Sequence, residues 1–184
     1  MRVHQQLAFG AACCERMLPN YETFMREVSW GDVGPLRRAI DAVWDACRGT
    51  RPSEVQLRNM LAQCEQCAPD SEDYTSLYTS PAQDAVFALC SLLDFLLDGD
   101  VGHVVNVPRC SIDSVDLVVQ EQEHMDPRDP LREQKILEHT LMQQELMRQQ
   151  RDLAGASDIS PGDRGALLAL RERARGESNL TLAS

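Results

Sequence analysis

The strongest hydrophobic pattern in this sequence lies between Ser80 and Gly99. At 100° per residue its polar positions fall within an arc of about 100° on a helix, and the remaining arc of about 260° is apolar. A helix with so wide an apolar surface must be covered by several neighbours. The pattern therefore predicts a central buried helix over residues 81–97, capped by Ser80, with Pro81 in its first turn and Gly99 at its end. An aspartate at Phe87 or Leu89 is expected to unfold the domain, because it would place an unpaired charge in the core.

The N-terminal third of the chain predicts three amphipathic helices. Apolar residues at steps of three and four form one stripe over residues 3–18, and Pro19 is expected to end that helix. Asn20 can then cap a short second helix that ends before a Trp-Gly-Asp turn. A third helix is predicted over residues 35–48, with proline in its first turn and glycine just past its end.

Side-chain caps mark two further helices. Ser53 and Gln56 have the spacing of a capping box, and the helix that they begin should end before Pro69. Near the C-terminus, Ser160 is expected to cap a last helix that has Pro161 in its first turn.

The segment that follows the central helix is harder to assign. Residues 101–123 are rich in β-branched side chains, which also suit strands. Pro108 is expected to prevent one regular helix, so we predict two shorter helices on the path of residues 100–123, with Ser111 near the start of the second.

The next helix, predicted over residues 129–154, has two apolar faces. One stripe contains Leu131, Met142, Leu146 and Leu153, while Leu137 and Leu141 point elsewhere. Two apolar faces on one helix indicate either a second internal layer or a subunit contact.

These elements predict an all-α fold, a compact single-domain bundle of about seven to nine helices around the central helix. The 184 residues suffice for one hydrophobic core. We expect residues 1–176 to form the domain and residues 177–184 a C-terminal tail.

Charge and cysteine usage narrow the function classes. The formal net charge of −11 disfavours binding to nucleic acid and to anionic membranes. The sequence shows no stretch long and apolar enough to span a membrane and no N-terminal signal peptide. We therefore expect a cytoplasmic protein whose seven cysteines are thiols.

Four stretches resemble the YjaG-like family of bacterial proteins of unknown function (DUF family 416). They are "CERMLPNYETFMREVSWGD", "LRRAIDAVWDAC", "SPAQDAVFALCSLLDFLLDG" and the terminal "GESNLTL". The chain departs from the family at Pro108 and in its Gln- and Met-rich segment near residues 143–150. The resemblance implies an all-α fold and brings no activity, cofactor or catalytic residue with it.

The cysteines are interpreted as packing residues. Cys14 lies in the apolar stripe of the first helix, where burial should make it inert, whereas Cys13 points away and is expected to be partly exposed. Cys64 and Cys67 have CxxC spacing, but without a second pair they are expected to pack in the apolar face of their helix; zinc or redox chemistry is the alternative.

Other charged patterns are incomplete as sites. Glu121 and His124 have the spacing of a di-iron ligand pair, but its second half is missing, so we interpret them as a solvated face. Two basic clusters, Arg37-Arg38 and "RERAR" at residues 171–175, are weak candidates for nucleic-acid binding, and the second suits a helix C-terminus. We assign no catalytic, cofactor-binding or metal-binding residue.

Two hypotheses on function remain open. The first is a non-enzymatic protein that acts by self-association, as a possible homodimer, or by contact with another cytoplasmic protein. The second is a small-ligand-binding protein or an unrecognised enzyme with a pocket between helices. Its candidate polar groups are Glu15, Arg16, Asp32, Asp84 and Glu177.

Overall fold

Over residues 1–180, the part that this computed structural model describes, the chain forms eight α-helices and no β-strand. Their bounds are α1 (Val3–Val28), α2 (Gly34–Cys47), α3 (Glu54–Glu65), α4 (Thr79–Asp98), α5 (Val101–Gln122), α6 (Arg132–Glu138), α7 (Thr140–Ser157) and α8 (Arg164–Arg175). The prediction of an all-α bundle is confirmed.

Helix α4 lies in the core, as its pattern predicts, and packs against α1, α2, α3 and α5. Leu89, Leu92 and Leu93 are fully buried. Phe87, however, is 48% exposed, so its placement in the core was wrong. The reason is geometric, because at 100° per residue Phe87 falls in the middle of the polar arc and almost opposite Leu89.

Helix α1 shares the centre with α4 and is not interrupted at Pro19. It contacts five other helices, and residues on both sides of the proline, among them Leu18, Tyr21 and Phe24, are buried. A proline inside a helix costs about 3 kcal/mol, which burial of two or three such side chains can offset. Asn20, expected to cap a second helix, instead lies within α1.

Helix α5 likewise continues through Pro108, so the prediction of two shorter helices was wrong. Valines that are buried on both sides of the proline, such as Val107 and Val115, hold the two halves to the core. The carbonyl oxygen of Pro108 accepts a hydrogen bond from Gln149 Nε2 at 3.1 Å, which provides a further contact with α7. Ser111, expected near a helix start, is buried in the middle of α5.

The segment predicted as one helix over residues 129–154 is divided into α6 and α7 at His139. His139 adopts an extended backbone conformation, and its Nδ1 accepts a hydrogen bond from the backbone N–H of Leu141 at 3.2 Å. The histidine thus caps α7, a role for which Ser, Thr, Asp and Asn are the usual residues.

Two predicted helix ends agree with the structure. Ser53 and Gln56 form the predicted capping box of α3, and Gly99 ends α4 in the left-handed conformation. The predicted caps Ser80 and Ser160 were wrong: α4 begins at Thr79, two residues before the predicted first residue Pro81, and Asp163 caps α8.

A second, smaller hydrophobic cluster lies between α5, α6 and α7. Leu141 and Met142 are buried there, together with Val115, Val118, Val119 and Ile136. This cluster is the second internal layer that the two apolar faces of the predicted helix indicated. Leu131, Leu137 and Leu153 are not part of it and remain exposed.

Residues 177–180 contact the bundle. Asn179 is buried, and its Oδ1 accepts a hydrogen bond from Asn20 Nδ2 at 2.8 Å. The rest of the predicted tail, residues 181–184, lies outside the described residues. The division into a domain and a tail stays a prediction.

Among the described residues, one helix, Thr79–Asp98, has the length and composition to cross a membrane, and 61% of its most apolar 18-residue window is buried inside the protein. Burial of this kind is also typical of the core helix of a compact soluble domain.

Candidate functional site

The most unusual feature of the interior is a pair of ion-pair clusters that begin at two consecutive residues of α1. Glu15 and Arg16 are both fully buried, although charged residues are almost never fully buried unless they are paired. Consecutive helical side chains diverge by about 100°, so the two residues reach different neighbours.

The Glu15 cluster joins α1 to α2 and α8. Trp44 Nε1 donates a hydrogen bond to Glu15 Oε1 at 3.1 Å, and Arg171 Nε donates to the same oxygen at 2.8 Å. Arg37 and Arg175 complete the set, at 3.3 Å and 3.2 Å from the carboxylate. The guanidinium of Arg171 also lies 5.7 Å from the centre of the Trp44 ring, within cation–π range.

The Arg16 cluster joins α1 to α7. The guanidinium of Arg16 contacts Asp152 and lies 3.3 Å from Glu145 Oε1. Arg173 NH2 donates to Asp152 at 2.9 Å, and Ser111 Oγ donates to Glu145 at 2.8 Å. These hydrogen bonds make the cluster a contact among four helices: α1, α5, α7 and α8.

The outer edge of the Arg16 cluster reaches the C-terminal segment. Arg151 donates to both carboxylate oxygens of Glu177, at 2.9 Å and 2.6 Å, and also contacts Asp152. Of the five candidate polar groups, the structure therefore brings Arg16 and Glu177 into one cluster. Glu15 belongs to the other cluster.

Both clusters hold helices together. Their buried carboxylates accept hydrogen bonds from guanidinium, indole, amide and hydroxyl donors of the protein itself. The exception among residues 1–180 is Glu145 Oε2, which is buried without a hydrogen-bond partner. A buried ion pair contributes little net stability, but removing one partner leaves a charge uncompensated. The buried charges are paired only when α1, α2, α7 and α8 are in these relative positions, so the clusters favour this arrangement of the helices.

The remaining two candidate groups lie elsewhere. Asp84, on α4, accepts a hydrogen bond from Ser114 Oγ at 2.8 Å, and burial raises the pKa of its carboxyl to about 6. Asp32 lies in the turn between α1 and α2. The five groups therefore do not form a single site.

The cysteines lie in the interior. Cys14 is buried as predicted, and burial raises the pKa of its thiol well above the usual value. Cys13 is fully buried too, so its expected partial exposure was wrong; burial raises its pKa to about 12. The CxxC cysteines, Cys64 and Cys67, are also buried, and burial raises the pKa of each thiol. Cys64 packs on α3 as predicted, whereas Cys67 lies beyond the end of that helix at Glu65.

Glu121 and His124 are exposed, as the interpretation of a solvated face predicts. Helix α5 ends at Gln122, and His124 has a left-handed backbone (φ 49°), so the two residues do not share a helix face. Within residues 1–180, the geometry of His, Cys, Asp and Glu side chains offers no cluster of three or more that could hold a metal ion.

The basic clusters have partners that the sequence did not reveal. Arg171, Arg173 and Arg175 form ion pairs with Glu15, Asp41 or Asp152. Sequence reasoning also missed the buried charged stripe of α7. Its residues Glu145, Arg148 and Asp152 recur at helical spacing, which was the available signal.

Several concave surfaces lie outside these clusters, and two of them bear on function. The first, which we call the α5–α7 groove, has a volume of about 430 Å³. It is lined by the apolar side chains of Ile112, Ile136, Leu137, Met142 and Leu146 and by the charged side chains of Asp116, Arg132 and Glu133.

The second surface, which we call the Trp30 concavity, has a volume of about 520 Å³ and lies between the α1–α2 turn and the end of α3. Its lining combines polar and apolar groups and consists of Trp30, Gly31, Asp32, Pro35, Arg38, Gln63, Gln66 and Cys67.

Comparison with known proteins identifies the family. Residues 1–183 match the family described as "Protein of unknown function (DUF416)". The chain belongs to this family. The resemblance seen in the sequence is thereby confirmed.

Its relatives are bacterial proteins without an assigned activity. The chain is 28% identical to "Uncharacterized protein YjaG" of Escherichia coli over 179 residues, which cover 96% of this chain and 89% of that protein. It is 32% identical to the YjaG protein of Salmonella typhimurium over 119 residues, 64% of this chain and 60% of the relative. The crystal structure of a DUF416 family protein from Shewanella baltica has the same fold, with a TM-score of 0.89 and 23% identity over 100% of this chain and 95% of that chain.

Proposed function

We propose that this protein acts in the cytoplasm as a non-enzymatic homodimer, in which the α5–α7 groove of each copy contacts that of the other. The observation that carries the proposal is the combination of an apolar groove with charges of both signs at its edge. The seven cysteines, an odd number with no pair placed for a disulfide within residues 1–180, suit a reducing compartment.

The apolar part of the groove resembles the centre of a protein interface. Leu137 is 53% exposed beside the buried side chains of Ile136 and Met142. Leu131, also 53% exposed, is the residue before α6, the helix that contains Leu137. Protruding leucines beside a recess can fit the same features on a second copy across a twofold axis.

The charges favour a second copy over a basic partner. Within residues 1–180, Asp116, Arg132 and Glu133 form no ion pair with any charged side chain. A twofold axis can set Arg132 of one copy against an acidic residue of the other, twice in each dimer. This local pairing offsets the repulsion expected between two chains that each carry a net charge of −11.

Analytical ultracentrifugation of the full chain over a range of concentrations tests the proposal. We expect a dimer that Leu137→Glu converts to a monomer, because a carboxylate would be placed in the apolar centre of the interface. The control is Leu168→Glu, since Leu168 is a leucine of similar exposure (52%) on α8. A monomer at every concentration, or a dimer that survives Leu137→Glu, would exclude the groove as the interface.

Charge reversal tests whether two identical surfaces meet. Arg132→Glu and Glu133→Arg should each weaken the dimer, because each variant then sets like charges against one another. Mixing the two variants should restore a mixed dimer, since the reversed charges become complementary. If the mixture stays monomeric while the unmodified chain dimerises, Arg132 and Glu133 do not face each other.

A further inference from the structure

The Trp30 concavity has properties that dimerisation through the α5–α7 groove does not use. Its volume of about 520 Å³ falls in the range of small-molecule sites. Its walls come from the turn between α1 and α2, the start of α2 and the end of α3.

Hydrogen bonds hold these walls in place. Tyr21 Oη donates to the carbonyl oxygen of Cys67 at 2.9 Å and accepts from the backbone N–H of Asp32 at 3.3 Å. Gly31 has φ +102°, and a Cβ at that position would lie 2.7 Å from Tyr21 Oη. The turn therefore lies directly against the tyrosine, and the concavity exists before any ligand binds, which lowers the entropic cost of binding.

Two opposite charges converge at one end of the concavity. Asp32 Oδ1 and Arg38 NH1 lie 3.0 Å and 3.3 Å from the point that a Cβ on Gly34 would occupy. Both side chains also line the concavity, so one small molecule bound there can contact both groups. Asp32 Oδ1 already accepts a hydrogen bond from the backbone N–H of Gly34 at 2.8 Å. In the part of the chain that the structure describes, Asp32 and Arg38 form no ion pair, and the guanidinium of Arg38 makes one long hydrogen bond, 3.5 Å, to Gln63.

Trp30 provides an apolar wall. Its indole is 38% exposed and is held from behind by Phe24 and Tyr74, whose ring centres lie 6.1 Å and 5.6 Å away. An exposed indole with a fixed orientation can pack against an apolar or aromatic ligand group. The side-chain amides of Gln63 and Gln66 supply further donors and acceptors.

We propose that the Trp30 concavity binds a free α-amino acid with an apolar side chain. The ligand carboxylate pairs with the guanidinium of Arg38, its ammonium group pairs with Asp32, and its side chain packs on Trp30. An α-amino acid fits because it carries both charges a few ångströms apart, as the closely spaced Asp32 and Arg38 require.

Isothermal titration calorimetry of the full chain with L-phenylalanine tests this proposal. We expect a Kd below about 1 mM, which is typical of a site with two charged contacts and one apolar contact. N-acetyl-L-phenylalanine, which lacks the ammonium group, and L-phenylalaninamide, which lacks the carboxylate, should each bind at least tenfold more weakly. Equal binding of all three compounds, or no binding of L-phenylalanine up to 10 mM (about ten times that Kd), would overturn the proposal.

Variants locate the site. Arg38→Met and Asp32→Asn should each weaken L-phenylalanine binding at least tenfold. Arg58→Met is the matched control, because Arg58 is an exposed arginine on α3 that does not line the concavity. Thermal melting establishes that each variant is folded. If the folded Arg38→Met variant binds as tightly as the unmodified chain, the ligand does not occupy this concavity.

Discussion

Helices α4 and α7 both contribute buried side chains to this protein, but they differ in chemistry. α4 buries leucines, alanines and valines, whereas the stripe of α7 that faces the interior includes Glu145, Arg148 and Asp152. On α7, in turn, Met147 and Leu153 are exposed to solvent. Apolar side chains therefore mark the interior face of α4, with Phe87 as an exception. On α7, charged residues occupy much of the interior face, and arginines from α1 and α8 pair with its carboxylates.

Because of this difference, the buried side chains of α4 and α7 need different kinds of neighbours. The leucines of α4 are stabilised by any well-packed apolar neighbours. The carboxylates of α7 need particular donors at particular positions, because an unpaired buried charge costs several kcal/mol. Three substitutions test the contrast, from the largest expected effect to the smallest.

Leu89→Asp should unfold the protein at 25 °C, because it places a carboxylate among fully buried apolar side chains of α4. Phe87→Asp, on the exposed face of the same helix, is the matched control and should melt cooperatively within a few degrees of the unmodified chain. Circular dichroism during heating measures both. Cooperative melting of Leu89→Asp near the parent temperature would contradict the position of α4 in the core.

Asp152→Ala should lower the free energy of unfolding by about 3–5 kcal/mol, because Arg16 would lose a buried partner. Urea denaturation measures the loss. Glu54→Ala provides the comparison, since it removes the carboxylate partner of Arg58 at the surface and should have little effect. A similar, small loss in both variants would mean that the buried cluster does not depend on Asp152.

Substitution of Asp84 should change the free energy of unfolding least of the three. This residue is a largely buried carboxyl of α4 whose partner is a hydroxyl and not an arginine. Burial raises its pKa to about 6 in the folded protein, so the folded state binds the proton more tightly than the unfolded chain. The resulting stabilisation is complete below about pH 4 and is lost as the pH rises through about 6. At pH 7, Asp84→Asn should therefore increase the free energy of unfolding by about 2 kcal/mol.

Urea denaturation at pH 4.5 and pH 7 checks this prediction, and the gain should be smaller at pH 4.5. Asp73→Asn, an exposed position with the same change of charge, is the control. A gain that is equal at both pH values would show that the Asp84 carboxyl does not titrate between them.

The two internal prolines show why helix boundaries were only partly predictable. Proline weakens a helix at its own position, and from that local effect we expected breaks at Pro19 and Pro108. Both helices continue, because buried residues anchor the segments on either side of each proline. The segments around Pro19 pack into one core, whereas α5 contributes Val107 to that core and Val115 to the second cluster. The real break, at His139, lies at a residue that carries no strong helix-ending signal.

The ion-pair clusters also show that local sequence patterns do not predict contacts between distant residues. Glu145, Arg148 and Asp152 recur at helical spacing, so the sequence contains the charged stripe of α7. Its partner on α1, Arg16, is 129 residues away from Glu145 in the chain. Spacing within one helix cannot identify a partner at that distance, which explains why the "RERAR" arginines were assigned to a helix end and not to Glu15.

From its pattern of apolar residues alone, the sequence determined that this protein is helical, that residues 81–97 belong to the core and that Gly99 ends a helix. These properties depend on contacts between residues a few positions apart and on the free energy of burying apolar surface, which any suitable neighbour satisfies. Only the tertiary structure decided that helices continue through two prolines, that charges pair inside, and that Asp32 and Arg38 converge beside Trp30. The first two depend on atoms from distant parts of the chain. The third depends on the hydrogen bond from Tyr21 to the carbonyl oxygen of Cys67, which holds the turn after α1 against the segment after α3. All three are therefore set by the packing of the whole bundle.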